Sequence, residues 1–315
     1  MLLGCLSACQ NRATRPLTPV TLQLKWTHSA QFAGFYAAQT EGYYAAEGLD
    51  VKFVEGGPNI DPVAPVLNGT ADFGVGAGID IILQGAAGAP IEAVAVLYRR
   101  SPFVYFARAD SGITGPEDFA GKVVQVSARS RPIYYTILAH VGLPVDQTVE
   151  SRETGLSVFY DGEVDVGSGY ITSQVLEVRR QGYELNVIFP DDYGVHMYDD
   201  TLFTTSDLIA ADPDLVLRFV RATLRGWTYA VEHPAEVGEM VGQYKPQVDL
   251  DYENEVMAAS LPYVNTGEDH IGWMRPEIWA EMAETFRAQE VLVEPLEVDS
   301  VYTMAFLEQI YQPSP

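Results

Sequence analysis

Cysteine is nearly absent from this sequence of 315 residues. Both cysteines, Cys5 and Cys9, lie within the first nine residues, so no later thiol can form a disulfide, ligate a metal or attack a substrate. The five histidines show no spacing typical of a metal site, and the sequence has no motif of a serine or cysteine nucleophile. We therefore expect no cofactor, no metal and no catalysis.

Positive charge is also scarce. The chain has 43 acidic and 19 basic residues, a net charge of −24. Nucleic acids and anionic membrane surfaces need a basic footprint, so both are excluded as expected partners. No apolar run approaches the 18 residues of a membrane-spanning helix. The negative charge is most simply a device for solubility.

The first 19 residues differ in character from the rest. The stretch "LSAC" (Leu6 to Cys9) resembles a bacterial lipoprotein processing box, in which small residues precede a cysteine that becomes lipidated. The basic region and the full apolar region of a signal peptide are missing. We interpret residues 1–19 as a signal remnant and polar tether, with Cys9 as the lipidation site. This predicts an extracytoplasmic, membrane-anchored protein, and two N-terminal cysteines of a cytosolic protein stay the alternative.

From Thr21 onward, short β-type runs alternate with helix-type runs, a pattern that predicts a parallel α/β sheet. The stretch "NGTADFGVG" (68–76) recurs as "DGEVDVGSG" (161–169), with the glycines and the aspartate at the same places. Each copy closes a helix-type run and opens a β-type run. We infer two similarly built α/β lobes.

The boundaries of the lobes are predicted from this repeat and from clusters of Gly and Pro, which interrupt helices and strands. We expect lobe one at 20–107, lobe two at 108–200, and a return to lobe one with C-terminal helices at 201–315. The apolar residues of "DPDLVLRFVRATLRGWTYAVEHP" recur at helical spacing and predict one long helix with a buried face. Two chain crossings between lobes would form a hinge that closes around a ligand.

Several stretches carry a resemblance to a known family: "KWTHSAQFAGFYAAQTEGYYAAEGLDV", "NGTADFGVG", "DYGV", "LFTT" and "RATLRGWTYAVEHP". The chain resembles substrate-binding proteins of bacterial ABC importers, in the branch similar to thiamine-pyrimidine-precursor binding proteins, over about residues 20–241. The resemblance implies a type II periplasmic-binding-protein fold with a two-crossing hinge. It also implies a small planar vitamin as ligand, an ABC permease as partner, and a protein that we expect to be monomeric.

The sequence indicates the identity of the ligand less closely than it indicates the fold. Pyrimidine-binding members tend to carry an acidic residue before the first tryptophan and "TPN" after it, whereas this chain reads "KWTHS" at 25–29. Relatives with the pattern "KW…QFAGFYAA" include proteins associated with riboflavin uptake. We therefore expect riboflavin, with an aminopyrimidine precursor of thiamine as the alternative.

Two other functions stay open. Eukaryotic relatives synthesise the thiamine pyrimidine, but they carry a cysteine-rich run used with iron, and this chain has no cysteine after Cys9. A ligand-sensing module is the other alternative, although nothing kinase-like or membrane-spanning is attached.

Candidate ligand-binding residues follow from the rule that ligands bind outside the carboxyl ends of sheet strands. The predicted set is Trp26, Gln31, Phe32, Asn59, Gly76, Tyr98, Ser127, Tyr170 and Tyr193. Core packing is the alternative for Trp26, and it is our expectation for Phe35 and Tyr36. The stretch "GVGAG" (74–78) lacks the spacing of a dinucleotide loop and predicts a tight turn. Arg129 and Arg131 are expected to be solvated.

Overall fold

The computed structural model describes residues 16–58 and 60–312. The strands are β1 (Thr18–Gln23), β2 (Leu49–Val54), β3 (Phe73–Gly76), β4 (Ile91–Tyr98), β5 (Phe103–Arg108), β6 (Val123–Gln125), β7 (Val149–Ser151), β8 (Gly167–Tyr170), β9 (Leu185–Ile188) and β10 (Asp199–Thr205). The helices are α1 (Ala33–Thr40), α2 (Tyr43–Ala46), α3 (Ala64–Leu67), α4 (Gly78–Ala86), α5 (Arg131–His140), α6 (Ser157–Tyr160), α7 (Gln174–Arg180), α8 (Ser206–Ala211), α9 (Pro213–Glu232), α10 (Val237–Gly242), α11 (Leu250–Val264), α12 (Pro276–Ala288) and α13 (Ala305–Tyr311).

Lobe one contains a sheet of five strands in the order β2-β1-β3-β10-β4. Strand β1 runs parallel to β2 and β3, as the alternating pattern predicts. Strand β10 is antiparallel to both β3 and β4, so the predicted parallel pairing does not extend to this strand. The reason is topological: β10 follows the return of the chain from lobe two and enters the sheet from the opposite end.

Lobe two is built on β5, which pairs antiparallel with β8 on one side and with β9 on the other. Strands β6 and β7 pair in parallel, and a bridge between Val124 and Val166 connects them to the β8 side. The chain passes between the two sheets at residues 99–102 and again at 194–198. The predicted fold of two α/β lobes joined by two crossings is confirmed. Strand β5 belongs to the second sheet, ahead of the lobe boundary predicted at residue 108.

The sequence repeat corresponds to a structural repeat. The Asp72 carboxylate accepts a hydrogen bond of 2.7 Å from the backbone N–H of Thr21, and the Asp165 carboxylate accepts one of 2.8 Å from that of Val123. Each aspartate also donates its own N–H to the carbonyl of the same partner residue. The two copies therefore attach a loop to a strand in the same way, to β1 in lobe one and to β6 in lobe two.

The rings near the N-terminus build the core of lobe one. Phe32, Phe35, Tyr36 and Tyr44 are almost fully buried. Helix α9 packs closely on α1, and an added Cβ at Gly226 would lie 2.1 Å from the Gly34 carbonyl oxygen. The predicted long helix and its buried face are confirmed. Among the described residues, no helix is long and apolar enough to cross a membrane.

Candidate functional site

A buried ionic cluster lies where the two sheets approach each other. Lys25 follows the carboxyl end of β1, and Asp199 and Asp200 begin β10 directly after the second crossing. Lys25 is 7% exposed and Asp200 is 0% exposed. The Lys25 ammonium contacts the Asp199 carboxylate and lies 2.6 Å from Oδ1 of Asp200. We call Lys25, Asp199 and Asp200 the ionic cluster.

Neighbouring side chains complete the hydrogen bonding of both carboxylates. The Gln31 amide Nε2 lies 3.0 Å from each carboxylate oxygen of Asp200. The Ser101 hydroxyl donates to Oδ2 of Asp199 at 3.0 Å, and the Asp200 N–H donates to Oδ1 of Asp199 at 2.9 Å. Gln31 comes from the turn of 3-10 helix before α1 and Ser101 from the first crossing, so four chain segments meet at the cluster.

Tyr170 brings lobe two to the cluster. The Lys25 ammonium donates a hydrogen bond of 2.6 Å to the Tyr170 phenol oxygen, and the phenol lies 3.4 Å from Oδ1 of Asp200. The Tyr98 ring, at the end of β4, lies 6.3 Å from the Tyr170 ring. The Gln174 side chain accepts a 2.7 Å hydrogen bond from the backbone N–H of Tyr170 and fixes the end of β8.

Burial and charge shift the pKa values of the cluster. Burial raises the pKa of Asp200 to about 6, although the Lys25 charge opposes this shift. Burial opposes the charge on Lys25, but the Asp199 and Asp200 carboxylates outweigh it and raise the Lys25 pKa. Burial, with the same two carboxylates, raises the pKa of Tyr170 well above its usual value. The phenol therefore stays protonated and can donate and accept.

The backbone at the cluster is strained. Asp200 has a φ of 39°, a left-handed conformation that L-residues other than Asn and Asp rarely adopt. Such strain persists only where the surroundings fix the residue, and it is most frequent at functional sites. The observed φ therefore agrees with a role for Asp200 beyond packing.

Further contacts hold the lobes together at the rim. The Tyr252 phenol of α11 donates a 3.0 Å hydrogen bond to the Ser173 carbonyl oxygen in lobe two. The Arg180 guanidinium of α7 lies 3.0 Å from the Asp249 carboxylate. With the contact between Tyr170 and Lys25, these interactions define a closed arrangement of the lobes.

The predicted site residues fall into two groups. Gln31, Tyr98 and Tyr170 gather around the ionic cluster, and Gly76 lies opposite Thr201 in the sheet, next to Asp200. Phe32 is fully buried in the core of lobe one. The use of each in ligand binding stays a prediction.

The other predicted residues within the described structure form no hydrogen bond with the ionic cluster, although Trp26 is the chain neighbour of Lys25. Trp26 is partly buried against the lobe-one core. The Ser127 hydroxyl is hydrogen-bonded to that of Ser130 at 3.0 Å. Tyr193 packs edge-on against His140, and both line a separate cavity of about 310 Å³ beside α12. Asn59 and Cys9 lie outside the described residues.

Arg129 and Arg131 were expected to be solvated. Arg131 pairs with Glu150 within lobe two at 3.0 Å. The Arg129 guanidinium instead reaches lobe one and donates to the Ile60 carbonyl oxygen. Arg129 is therefore another contact between the lobes. No group of three or more potential metal-ligating side chains occurs in the part of the chain that the structure describes.

Sequence reasoning missed the ionic cluster itself. In the sequence, Lys25 serves only as a departure from the pyrimidine-binding pattern, and Asp199 and Asp200 are not among the predicted site residues. A signal was present: a lysine directly after the apolar strand "VTLQL", and two adjacent aspartates opening the β-type run "DDTLFTT". Charged residues at the ends of buried strands are unusual and often paired.

The fold is that of periplasmic binding proteins. The structure matches a protein from Bordetella bronchiseptica RB50 with a TM-score of 0.74 at 17% identity, covering 93% of this chain and 96% of that one. It matches the periplasmic aliphatic sulphonate binding protein SsuA from Escherichia coli with a TM-score of 0.68 at 14% identity, covering 94% and 92%.

Residues 29–237 match the family described as NMT1/THI5 like, and the chain belongs to this family. It is 29% identical to riboflavin-binding protein RibY of Chloroflexus aurantiacus, over 92% of this chain and 86% of that protein. It is 26% identical to a 4-amino-5-hydroxymethyl-2-methylpyrimidine phosphate synthase of Legionella pneumophila, over 91% and 92%. It is 24% identical to the formylaminopyrimidine-binding protein of Halalkalibacterium halodurans, over 95% and 94%.

Proposed function

We propose that this protein is the extracytoplasmic substrate-binding component of an ABC importer and that it captures riboflavin between its two lobes. The similarity to the riboflavin-binding protein of Chloroflexus aurantiacus extends over 92% of the chain and supports this ligand. The observation that carries the proposal is the contact between Lys25 of lobe one and Tyr170 of lobe two. A molecule bound at this place would touch both lobes.

The energetics favour capture by two lobes. A tricyclic ring system that hides about 300 Å² of apolar surface gains roughly 7 kcal/mol from burial. Each well-placed aromatic pair adds about 0.5–1.5 kcal/mol. Association and closure cost several kcal/mol, and micromolar affinity needs about 8 kcal/mol net. One lobe alone covers only one face of the ring, so the closing hinge supplies the second contact surface.

The proposal includes no chemical conversion of the ligand. A permease of the ABC class would receive the closed, loaded protein, and Cys9 would carry the lipid that holds a monomer at the membrane. Trp26 and Tyr170 are the aromatic side chains that we expect to contact the ligand, because both are partly buried and neither lies wholly within a lobe core.

An aminopyrimidine precursor of thiamine is the second candidate ligand. The similarity to the formylaminopyrimidine-binding protein covers 95% of the chain, and this favours a pyrimidine as the alternative. The Asp200 carboxylate would accept hydrogen bonds from an exocyclic amino group as readily as from a ring N–H.

A thermal-shift screen with riboflavin, flavin mononucleotide, thiamine and 4-amino-5-hydroxymethyl-2-methylpyrimidine tests the proposal. A ligand at 100 times its Kd stabilises the folded protein by about 2.7 kcal/mol. We expect riboflavin to raise Tm and its fluorescence to be quenched on mixing. A rise with the pyrimidines alone would contradict the flavin proposal. Riboflavin recovered unchanged after release would support binding without conversion.

Variants test the site in the same assay. Trp26→Ala and Tyr170→Ala should each weaken riboflavin binding by at least about tenfold, since each removes an aromatic contact of one lobe. Tyr229→Ala is the matched control, because Tyr229 stacks on His233 at the outer end of α9. If both site variants bind as tightly as the control, the ligand does not lie between the lobes at this place.

A further inference from the structure

Burial of the ionic cluster in a protein core is unfavourable in free energy. Burying charges costs several kcal/mol per ion, and well-packed apolar residues often replace a buried ion pair without loss of stability. With all three groups ionised, two carboxylates face one ammonium. The strained φ of Asp200 adds a second cost at the same residue. Costs of this kind are expected where the polar groups serve a ligand.

The cluster displays a defined pattern of hydrogen-bonding groups. The Asp200 carboxylate accepts hydrogen bonds from two donors, the Lys25 ammonium at 2.6 Å and the Gln31 amide at 3.0 Å. An ammonium has three hydrogens and an amide has two, so both donors keep hydrogens for a ligand, and the edge formed by these groups offers two donors and one acceptor. Its complement is a planar edge that reads acceptor, donor, acceptor.

The Tyr170 phenol is the group that lobe two presents to this edge. It accepts from Lys25 and lies within 3.4 Å of Asp200 as a potential donor. A hydroxyl offers one donor and acceptor lone pairs, so it can match only part of the pattern. When the lobes open, the phenol leaves with lobe two and the edge becomes accessible.

We propose that the ionic cluster, with Gln31, recognises an imide edge, in which an N–H is flanked by two carbonyl groups. Asp200 accepts the imide N–H, and Lys25 and Gln31 donate to the two carbonyl oxygens. The inference rests on the proposed function. It specifies that the protein recognises the pyrimidinedione ring of the isoalloxazine. An aminopyrimidine has no imide and matches two of the three positions at most.

A comparison of ligands on the unaltered protein tests the inference. Riboflavin and 3-methylriboflavin differ only at the imide nitrogen, where the methyl group removes the N–H and adds bulk against Asp200. We expect the Kd of 3-methylriboflavin, measured by fluorescence quenching, to be at least about tenfold higher, the loss expected for one hydrogen bond to a charged group. Equal Kd values would overturn the inference and leave the proposed function intact.

Variants give a second, independent measurement. Asp200→Asn keeps the shape of the side chain but loses the charge, and it should reduce the ratio of the two Kd values toward one. Asp214→Asn, at an exposed pair with Arg218 on α9, should leave the ratio unchanged. A ratio in D200N equal to that of the wild type would overturn the assignment to Asp200. If no isoalloxazine binds the wild-type protein at all, the proposed function and the inference fall together.

Discussion

Lys25 and Tyr170 lie 145 residues apart in the chain and in different lobes, yet the ammonium nitrogen and the phenol oxygen are 2.6 Å apart. Lys25 is held from the other side by Asp199 and Asp200. The phenol therefore adds to a cluster that lobe one and the second crossing form by themselves. Opening of the lobes would separate Tyr170 from this cluster without dispersing the three charges.

Replacement of Lys25 by methionine should strongly destabilise the fold. The substitution leaves the buried carboxylates of Asp199 and Asp200 without their cation, and removal of one partner from a buried ion pair costs about 3–5 kcal/mol. Urea denaturation at pH 7 measures the change in the free energy of unfolding. Lys52→Met is the matched control, because Lys52 is exposed on β2, and it should stay within about 0.5 kcal/mol of the wild type. Equal stability of the two variants would contradict the account of the cluster.

The raised pKa of Asp200 predicts a pH dependence with a definite sign. Its pKa is about 6 in the folded state against an ordinary value of 3.8, so between these values the folded state binds the proton more tightly than the unfolded state. The contribution of Asp200 to stability therefore falls as pH rises from about 4 to about 6, by at most about 1.4 kcal/mol per pH unit.

Asp200→Asn isolates this contribution because asparagine does not titrate. The free energy of unfolding of the wild type minus that of D200N should decline between about pH 4 and 6 and then level off. Denaturant titrations at several pH values measure it. A difference that instead grows as pH rises through this window would show that the folded state depresses the Asp200 pKa.

Gly226→Ala should destabilise the protein although alanine favours helices. Within α9 the gain in helix propensity is about 1 kcal/mol. The added Cβ would lie 2.1 Å from the Gly34 carbonyl oxygen and 2.6 Å from the Ala38 Cβ, and overpacking of this kind costs about 1–3 kcal/mol or more. Thermal unfolding measures the net loss. Thr228→Ala, at an exposed position of the same helix, is the control, and an equal or higher Tm for G226A would refute the close packing of α9 on α1.

The structural repeat predicts parallel effects of two distant substitutions. Asp72→Ala and Asp165→Ala each remove a carboxylate that accepts a hydrogen bond from a strand, β1 in lobe one and β6 in lobe two. Each should cost about 1–2 kcal/mol, with the smaller loss at Asp165, which is more exposed. Chemical denaturation of each variant measures this. A loss confined to one of the two would contradict the equivalence of the copies.

Local patterns predicted much of the fold. The alternation of β-type and helix-type runs, the repeat ending at Gly76 and Gly169, and the apolar face of α9 each depend on neighbours in sequence, and the structure contains all three. The antiparallel entry of β10 was missed because it depends on where the second crossing returns to the sheet. The hydrophobic pattern within a strand does not indicate the direction in which the strand enters the sheet.

For the site, too, the sequence did not predict contacts between residues that lie far apart in the chain. The rule that ligands bind at strand ends selected Tyr170, and the structure places its phenol against Lys25 of lobe one. The ionic cluster was not predicted, since Lys25 and Asp199 are 174 residues apart and only the folded sheet brings them together. Core packing was the expectation for Phe35 and Tyr36, and the structure confirms it. Both side chains are almost fully buried, as helical spacing within one local segment is enough to predict.

Competitive equilibrium dialysis tests the central claim most directly. The wild-type protein is dialysed against equal concentrations of riboflavin and 4-amino-5-hydroxymethyl-2-methylpyrimidine, and both compounds are quantified on each side of the membrane. We predict that riboflavin accumulates with the protein in a one-to-one complex while the pyrimidine is distributed equally. Accumulation of the pyrimidine, with riboflavin equal on both sides, would contradict it.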